Sequence, residues 1–440
     1  MPTLAHKIRL NPTPEQATYF KQACGTARFV WNWALAEWNR QWQAGGHPNA
    51  GALKKQFNAI KYTTFPWLKG MHRDAHSQPF ADLATAWQRF WTHQNERPVF
   101  KAKRKTRDSF YVANDKFRLQ GARVKLPKIG WVVMQEPLRF PGKILGTRVT
   151  RQADQWFLSV QVEVSDALYY RHRTGDGIDG VDVGVKTFAT LSHGEKIAGP
   201  QAHRRALRRV KMRQRAITRK MQAAKVAIGL PPKAPIPQGI HLPRSQNWLK
   251  AQDRLAQTHR RAFNIRRDFL HKSSTRLCRE NQALGIETLS VEGMMHNHHL
   301  ARAIADQGFG QFFTLLKYKA ERYGTHLVPA DRWFPSSKLC STSGCGYLKK
   351  DLTLKDREWI CPSCGTWHDR DVNAAQNLAR LATATALPVA TRPARDVPVR
   401  SKGRPDGKVT PVRHEATPVG YMLAASGQEE SWDHQRSHDL

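Results

Sequence analysis

The sequence predicts a multidomain protein of mixed α/β and α+β class, and three patterns carry that expectation. Residues 97–164 alternate apolar and polar side chains, the chain beyond Gly175 interleaves strands with long helices, and four of its six cysteines crowd between positions 340 and 364. A length of 440 residues leaves room for roughly two to four domains.

Taken in order, residues 4–10 alternate as a short strand, and Thr13-Pro14-Glu15-Gln16 opens a helix, because proline in a first helical turn forfeits no hydrogen bond. Phe29, Val30, Trp33, Leu35, Trp38 and Trp42 continue at helical spacing. A small helical domain up to about Trp91 follows, with loops at Gly45-Gly46-His47-Pro48 and around Pro79. Trp131-Val132-Val133-Met134 is a short apolar strand. In 156–164, Trp156, Leu158, Val160, Val162 and Val164 face one way while Ser159, Gln161 and Glu163 face the other, as in a half-buried antiparallel strand. Strands on both sides of the helical run predict a β-barrel or sandwich with the helical domain inserted.

Further on, 178–185 and 188–191 read as paired strands around a turn. Two long basic helices follow at 203–226 and 246–280. Leu207, Val210, Ile217 and Met221 stand at heptad spacing in the first, interrupted by Gln214, which predicts that the two helices pair as a hairpin. The Pro-rich stretch 229–243 between them reads as a mobile loop. A strand at 284–289 and a helix at 309–322 complete the pattern, and 388–440 reads as a mostly disordered basic tail.

Lys plus Arg number 71 against 35 Asp plus Glu, a formal net charge of +36. Self-repulsion on that scale points to a polyanionic partner, nucleic acid before an anionic membrane. No run of about 18 apolar residues exists and the N-terminus has no apolar signal core, so a cytoplasmic protein is expected. Six cysteines are too few for a disulfide scaffold, and Cys24 and Cys278 read as small buried residues inside helices.

The most specific local motif is the cysteine quartet. Cys340 and Cys345 are separated by four residues and Cys361 and Cys364 by two, with 15 residues at 346–360 between the pairs. Four thiolates on two turns suit one tetrahedral zinc ion with no open position, a structural site whose metal supplies folding free energy. Three carboxylates form the second signal. Asp182 lies in Gly180-Val181-Asp182-Val183-Gly184, Glu287 ends the strand Ala283-Leu284-Gly285-Ile286-Glu287, and Asp371 opens a helix in Asp369-Arg370-Asp371-Val372-Asn373. Carboxylates suit magnesium, and a pair of such ions about 3.5–4 Å apart is the equipment of phosphodiester hydrolysis. The string Met295-His296-Asn297-His298-His299 reads as a loop or helix start, not as a nuclease motif.

Several runs together resemble the TnpB (insertion-sequence OrfB) family over roughly residues 4–385. They are Leu10-Asn11-Pro12-Thr13-Pro14-Glu15-Gln16, Pro98-Val99-Phe100-Lys101-Ala102-Lys103, Gly293-Met294, Leu300-Ala301-Arg302-Ala303-Ile304-Ala305-Asp306, Lys317-Tyr318-Lys319-Ala320, Phe334-Pro335-Ser336-Ser337-Lys338-Leu339-Cys340-Ser341 and Asp369-Arg370-Asp371-Val372-Asn373-Ala374-Ala375. The resemblance implies a RuvC nuclease domain of RNase H-like fold (171–335 and 366–387) interrupted by a zinc ribbon (336–365). It also implies a wedge-type β-barrel (1–20 and 96–170) with an inserted helical recognition domain (21–95). It implies an RNA-guided DNA endonuclease encoded by a transposon, which cuts DNA matching its guide RNA beside a short adjacent motif. Asp182, Glu287 and Asp371 then take the catalytic positions holding two magnesium ions, with Asp369 as the alternative to Asp371. Two features depart from the family pattern: four residues rather than two separate Cys340 from Cys345, and Thr288 follows Glu287 where an acid or Asn is commoner.

The nine Lys/Arg in 203–222, with no acid among them, and the basic run 97–107 are expected to contact phosphates of guide RNA or heteroduplex. Lys101, Lys103, Arg104, Arg204, Arg208, Lys211 and Arg215 are the named positions. The partners expected are guide RNA and double-stranded target DNA, in a monomeric, nucleoid-associated ribonucleoprotein of a prokaryote. A guided repressor without cleavage and a miniature type V CRISPR effector are the competing readings. The first would be expected to lack one of the acids.

Overall fold

Thr13 starts the first long helix as its sequence requires: its hydroxyl accepts from the Gln16 amide, and the Gln16 side chain accepts from the Thr13 N–H. The computed structural model describes residues 1–385 apart from 104, 238 and 354. The expected tail at 388–440 lies outside the described residues.

Strand β1 (Thr3–Asn11) leads into helix α1 (Pro14–Gln43), followed by α2 (Ala50–Thr64) and α3 (Arg73–Trp91). Strands β2 (Ser109–Ala113), β3 (Arg118–Gln120), β4 (Arg123–Leu126), β5 (Gly130–Met134), β6 (Lys143–Gln152) and β7 (Gln155–Glu163) come next. With β1 they form a seven-stranded antiparallel sheet in the order β2-β6-β7-β1-β5-β4-β3. Trp156, Leu158, Val160, Val162 and Val164 are all buried, as their alternation predicts. Helix α1 crosses residues 20–21 unbroken and serves two cores. Phe20, Ala23 and Cys24 pack on the sheet, while Val30, Trp31, Leu35 and Trp38 pack with Leu53, Phe57, Phe80 and Trp87 of α2 and α3.

Around Pro79 the expected loop is replaced by the interior of α3. A proline there costs about 3 kcal/mol. Burying Phe80, Leu83 and Trp87 returns roughly 1.5–3 kcal/mol each, so packing decides the local structure.

After the short α4 (Asp166–Tyr169), strands β8 (Gly177–Val183), β9 (Ala189–Leu191) and β10 (Lys196–Ile197) form an antiparallel run. Helices α5 (Ala202–Val226) and α6 (Gln246–Glu280) then pack along one another; Val210 is buried in that contact, and Leu207, Ile217 and Met221 are half-buried. The N-terminus of α5 is capped from a distance, because the Asp306 carboxylate accepts from the N–H groups of His203 and Arg204 at 2.8 and 2.9 Å. Among the described residues of the Pro-rich 229–243 stretch no helix or strand forms, and Lys225 tethers it, its ammonium donating to the Ala234 carbonyl at 2.6 Å.

Helix α6 passes directly into β11 (Asn281–Ile286), which is why this strand starts three residues before the expected 284. The Asn281 side chain donates to the Leu277 carbonyl and caps the helix while its backbone joins the sheet. Short helices α7 (Val291–Met295) and α8 (Ala301–Gln307), then α9 (Phe309–Tyr323) and β12 (His326–Pro329), follow. His296 to His299 form the turn after α7 and carry no metal cluster among the described residues. The second sheet runs β10-β9-β8-β11-β12, with β8, β11 and β12 mutually parallel. Phe309, Phe312, Leu270 and Leu277 of α9 and α6 cover one of its faces. Strands β13 (Glu358–Ile360) and β14 (Trp367–Asp369) form a small hairpin, and α10 (Arg370–Thr385) lies on the other face of the second sheet. Among the described residues no helix is long and apolar enough to cross a membrane.

Candidate functional site

Two glycines set the site. Gly180 and Gly285 are partners across the parallel pair β8–β11, and a Cβ on either would fall 1.8 Å from the Ala375 carbonyl oxygen or 2.0 Å from that of Leu378. Only bare backbone lets α10 lie this close. Because strand side chains repeat every second residue, Asp182 and Glu287 emerge on that same face, one step beyond their glycines. Helix α10 begins at the same end of the sheet and carries Asp371 in its first turn.

The three carboxylates sense one another. Burial, then the charges of Glu287 and Asp371, push the Asp182 carboxyl well above its usual range. Glu287 is raised too, by burial foremost, while hydrogen bonds from Ser336 and Asp182 pull it back. All three acids remain half-buried, so one side of the group faces solvent. They are not drawn as tightly together as the cysteines: among the described residues, only the cysteine quartet has ligand atoms all within 4.8 Å of one another. Ligands on opposite sides of a metal pair have no need to touch. The cluster of hard oxygen donors with unrelieved repulsion fits divalent cations of the magnesium type.

Asp369, the alternative third acid, has another occupation. Its Oδ1 accepts from the N–H groups of Asp371 and Val372 at 3.0 Å each, capping α10, and its Oδ2 pairs with Lys196 at 2.7 Å. Asp371 has a looser partner, Arg357 at 3.9 Å, and its charge reaches both other acids.

Sequence reasoning missed the supports. Ser336 donates to Glu287 Oε1 at 3.1 Å, and Asn373 and Asn377 of α10 donate to the carbonyls of Ser336 and Leu339, fastening the segment before Cys340 to the helix that bears Asp371. Arg370 places a positive charge near Asp182 and Glu287. Three of these positions lay in quoted motifs, yet nothing local told a supporting Ser or Asn from an ordinary polar residue.

The cysteines come together as expected. Cys340 and Cys361 are buried, Cys364 is exposed, and Cys345 lies between these extremes. Burial pushes the Cys361 thiol up to about 11, while hydrogen bonds led by the Thr366 hydroxyl hold Cys364 down at about 5. His368, also missed, lies buried with Nε2 3.1 Å from Cys340 Sγ, against the Trp359 ring. The four sulfurs fit a single zinc ion, wide first spacing notwithstanding. Cys24 and Cys278 are buried inside α1 and α6 as expected.

The basic positions divide. Arg204, Arg208, Lys211 and Arg215 project from α5 into solvent, and Lys103 is exposed as well. Lys101 turns inward: its ammonium lies 3.4 Å from the centre of the Trp31 ring, and burial lowers it to about 8. Arg104 lies outside the described residues. A further cationic group was not foreseen, since it joins Lys7 of β1, Arg107 and Arg267 of α6; burial and these arginines hold Lys7 at about 8.

A family model described as "Probable transposase" (OrfB_IS605) matches residues 159–298, a "Helix-turn-helix domain" model matches 1–47, and a "Cas12f1-like, TNB domain" model matches 309–378. Within the second match, residues 14–43 form one unbroken helix. A Streptomyces pristinaespiralis protein named "Putative RNA-guided DNA endonuclease" is 34% identical over 404 residues, covering 89% of this chain and 92% of its own. The Escherichia coli (strain K12) protein "Putative RNA-guided DNA endonuclease InsQ" is 27% identical over 395 residues, with 85% and 91% covered. A solved structure described as a Cas12f1–sgRNA–target DNA complex matches at 15% identity and a TM-score of 0.31, covering 86% of this chain and 99% of that one.

Proposed function

Because this chain belongs to the TnpB (OrfB) family, we propose that it is an RNA-guided DNA endonuclease that hydrolyses phosphodiester bonds at Asp182, Glu287 and Asp371. The observation that carries this reading is that three acids, remote in sequence, meet on one sheet face at the N-terminus of α10. The strand order β10-β9-β8-β11-β12, with one antiparallel half and one parallel half, supports an RNase H-like domain of RuvC type over 171–335 and 366–387. The seven-stranded antiparallel sheet, with three helices between its first two strands, supports a wedge-type barrel over 1–20 and 96–170 with a helical recognition insert at 21–95. The quartet Cys340, Cys345, Cys361 and Cys364 would hold one structural zinc ion in a ribbon at 336–365.

Asp182, Glu287 and Asp371 would hold two magnesium ions. Bound magnesium supplies acidity to the attacking water and charge neutralisation at the leaving oxygen. The protein's own residues do the rest. Ser336 fixes the Glu287 carboxylate, Asn373 and Asn377 lock that serine's segment to α10, and Arg370 lowers the local negative potential that would repel a phosphate. The exposed cations of α5 bind backbone phosphates, so guide pairing, not the protein, reads sequence. The form proposed is a monomer bound to its guide RNA, cytoplasmic and nucleoid-associated.

Sequencing RNA that copurifies with the full chain yields the guide, and a matched duplex incubated with magnesium then tests cutting. No discrete RNA and no cleavage of any matched duplex would end this reading. All three acids are present, which disfavours the repressor alternative; genomic repeats beside the coding sequence would favour a CRISPR effector instead.

A further inference from the structure

Trp333 is the most exposed tryptophan among the described residues, at 81% of its full surface. A single exposed apolar side chain is ordinary; its mounting here is not. Residues 330–336 form a short loop whose two feet stand on the residues around Glu287. At the first foot, Ala330 N–H donates to the Ile286 carbonyl at 2.8 Å, and the Thr288 hydroxyl donates to the Ala330 carbonyl at 2.7 Å. At the second, Ser336 donates to Glu287 itself, and Asn377 of α10 donates to the Ser336 carbonyl at 2.8 Å. Between them, the Asp331 side chain accepts from the Trp333 N–H at 2.8 Å, and its carbonyl accepts from Phe334 at 3.0 Å. Three residues from either foot bound the Trp333 Cα to about 10 Å from these anchors.

Of the other exposed tryptophans, Trp67 rests on Phe29, Trp91 on Trp87 and Trp42 on His47, while Trp131 lies in β5 beside Arg123 and Trp367 in β14 of the small hairpin. Beside the Trp333 ring the structure places the Arg332 guanidinium, 5.3 Å from its centre. A flat apolar face, a cation next to it and a rigid base within reach of the carboxylates form a platform for an unpaired base whose phosphate meets the arginine.

We propose that Trp333 is a positioning residue that stacks on a base of the DNA strand entering the carboxylate centre, and so requires that strand to be single there. Paired bases in a continuous duplex offer no open face. This inference rests on the nuclease reading above.

The test compares the full chain with its guide RNA against Trp333→Ala, Trp333→Phe and Trp333→Leu. Cutting of matched DNA in magnesium should fall about 10- to 100-fold in Trp333→Ala and in Trp333→Leu, and stay within a few-fold of the parent in Trp333→Phe. Zinc content and retained guide RNA should not change. A 2-aminopurine label walked along the target strand, in an Asp182→Ala background that cannot cut, should be quenched at one or two adjacent positions and brighten there when Trp333→Ala is added. Cleavage by Trp333→Ala within about twofold of the parent overturns the proposal, since stacked bases are worth more than that. So does rescue by Leu as complete as by Phe, which would mean simple apolar packing, or loss of guide RNA from Trp333→Ala, which would make RNA the occupant. Failure of the parent chain to cut defeats the nuclease reading instead, and the fluorescence experiment still reports on the indole.

Discussion

The cysteine quartet and the carboxylate centre are both metal-competent, and they are built in opposite ways. The quartet draws on residues 340–364 alone and brings four sulfurs within 4.8 Å of one another. The acids come from two parallel strands and a helix, keep more distance, and leave one side open. A closed site needs no ligand beyond the protein, so short spacing suffices to write it. An open site must admit a phosphate as a ligand, so its acids are held apart by the fold and stay incomplete without substrate.

The largest effect should come from the acids. Asp182→Ala or Glu287→Ala should reduce cutting on the order of 10³-fold or more, as loss of several kcal/mol of transition-state stabilisation implies. Guide RNA retention should be unchanged in a pull-down; wild-type cleavage by either variant would break the comparison at its open side. Next, Cys361→Ser should release zinc, read by metal analysis, and cripple cleavage with it, because the ribbon's buried core is little more than Cys340, Leu352, Trp359 and Cys361. Retained activity in metal-free protein would detach the closed site from function.

The third acid sharpens the contrast. Asp371→Asn should cost cutting at least about 100-fold, whereas Asp369→Asn should leave it within a few-fold; Asp369→Ala, which removes the cap acceptor, should cost about 1 kcal/mol of stability, measured by thermal unfolding. Equal losses would mean that both acids serve the centre. Gly285→Ala should cost roughly 1–3 kcal/mol by pushing α10 off the sheet. The loss should be read by thermal unfolding, and cleavage should fall with it. Smallest of all, Arg208→Ala or Lys211→Ala should each reduce the slope of log affinity against log salt by about 1, with the guide's sequence preference intact.

Much of this was legible locally. The helices at 246–280 and from 309 were read at the limits of α6 and the start of α9, the cap of α1 from Thr13-Pro14, and the buried face of β7 from alternation, because each depends on neighbours along the chain. Pro79 misled for the complementary reason: its cost is local, while the burial that outweighs it comes from α1 and α2.

By itself the sequence determined the polyanionic nature of the partner, the four thiolates and the three acid-bearing segments, since charge, ligand spacing and strand period are all read along the chain. Only the tertiary structure decided that Gly180 and Gly285 exist to seat α10, that Asp369 caps a helix while Asp371 faces the other acids, and that Ser336, Asn373 and Trp333 belong to the same place. Those assignments rest on contacts between residues far apart in the chain, and such contacts leave no periodic trace in it.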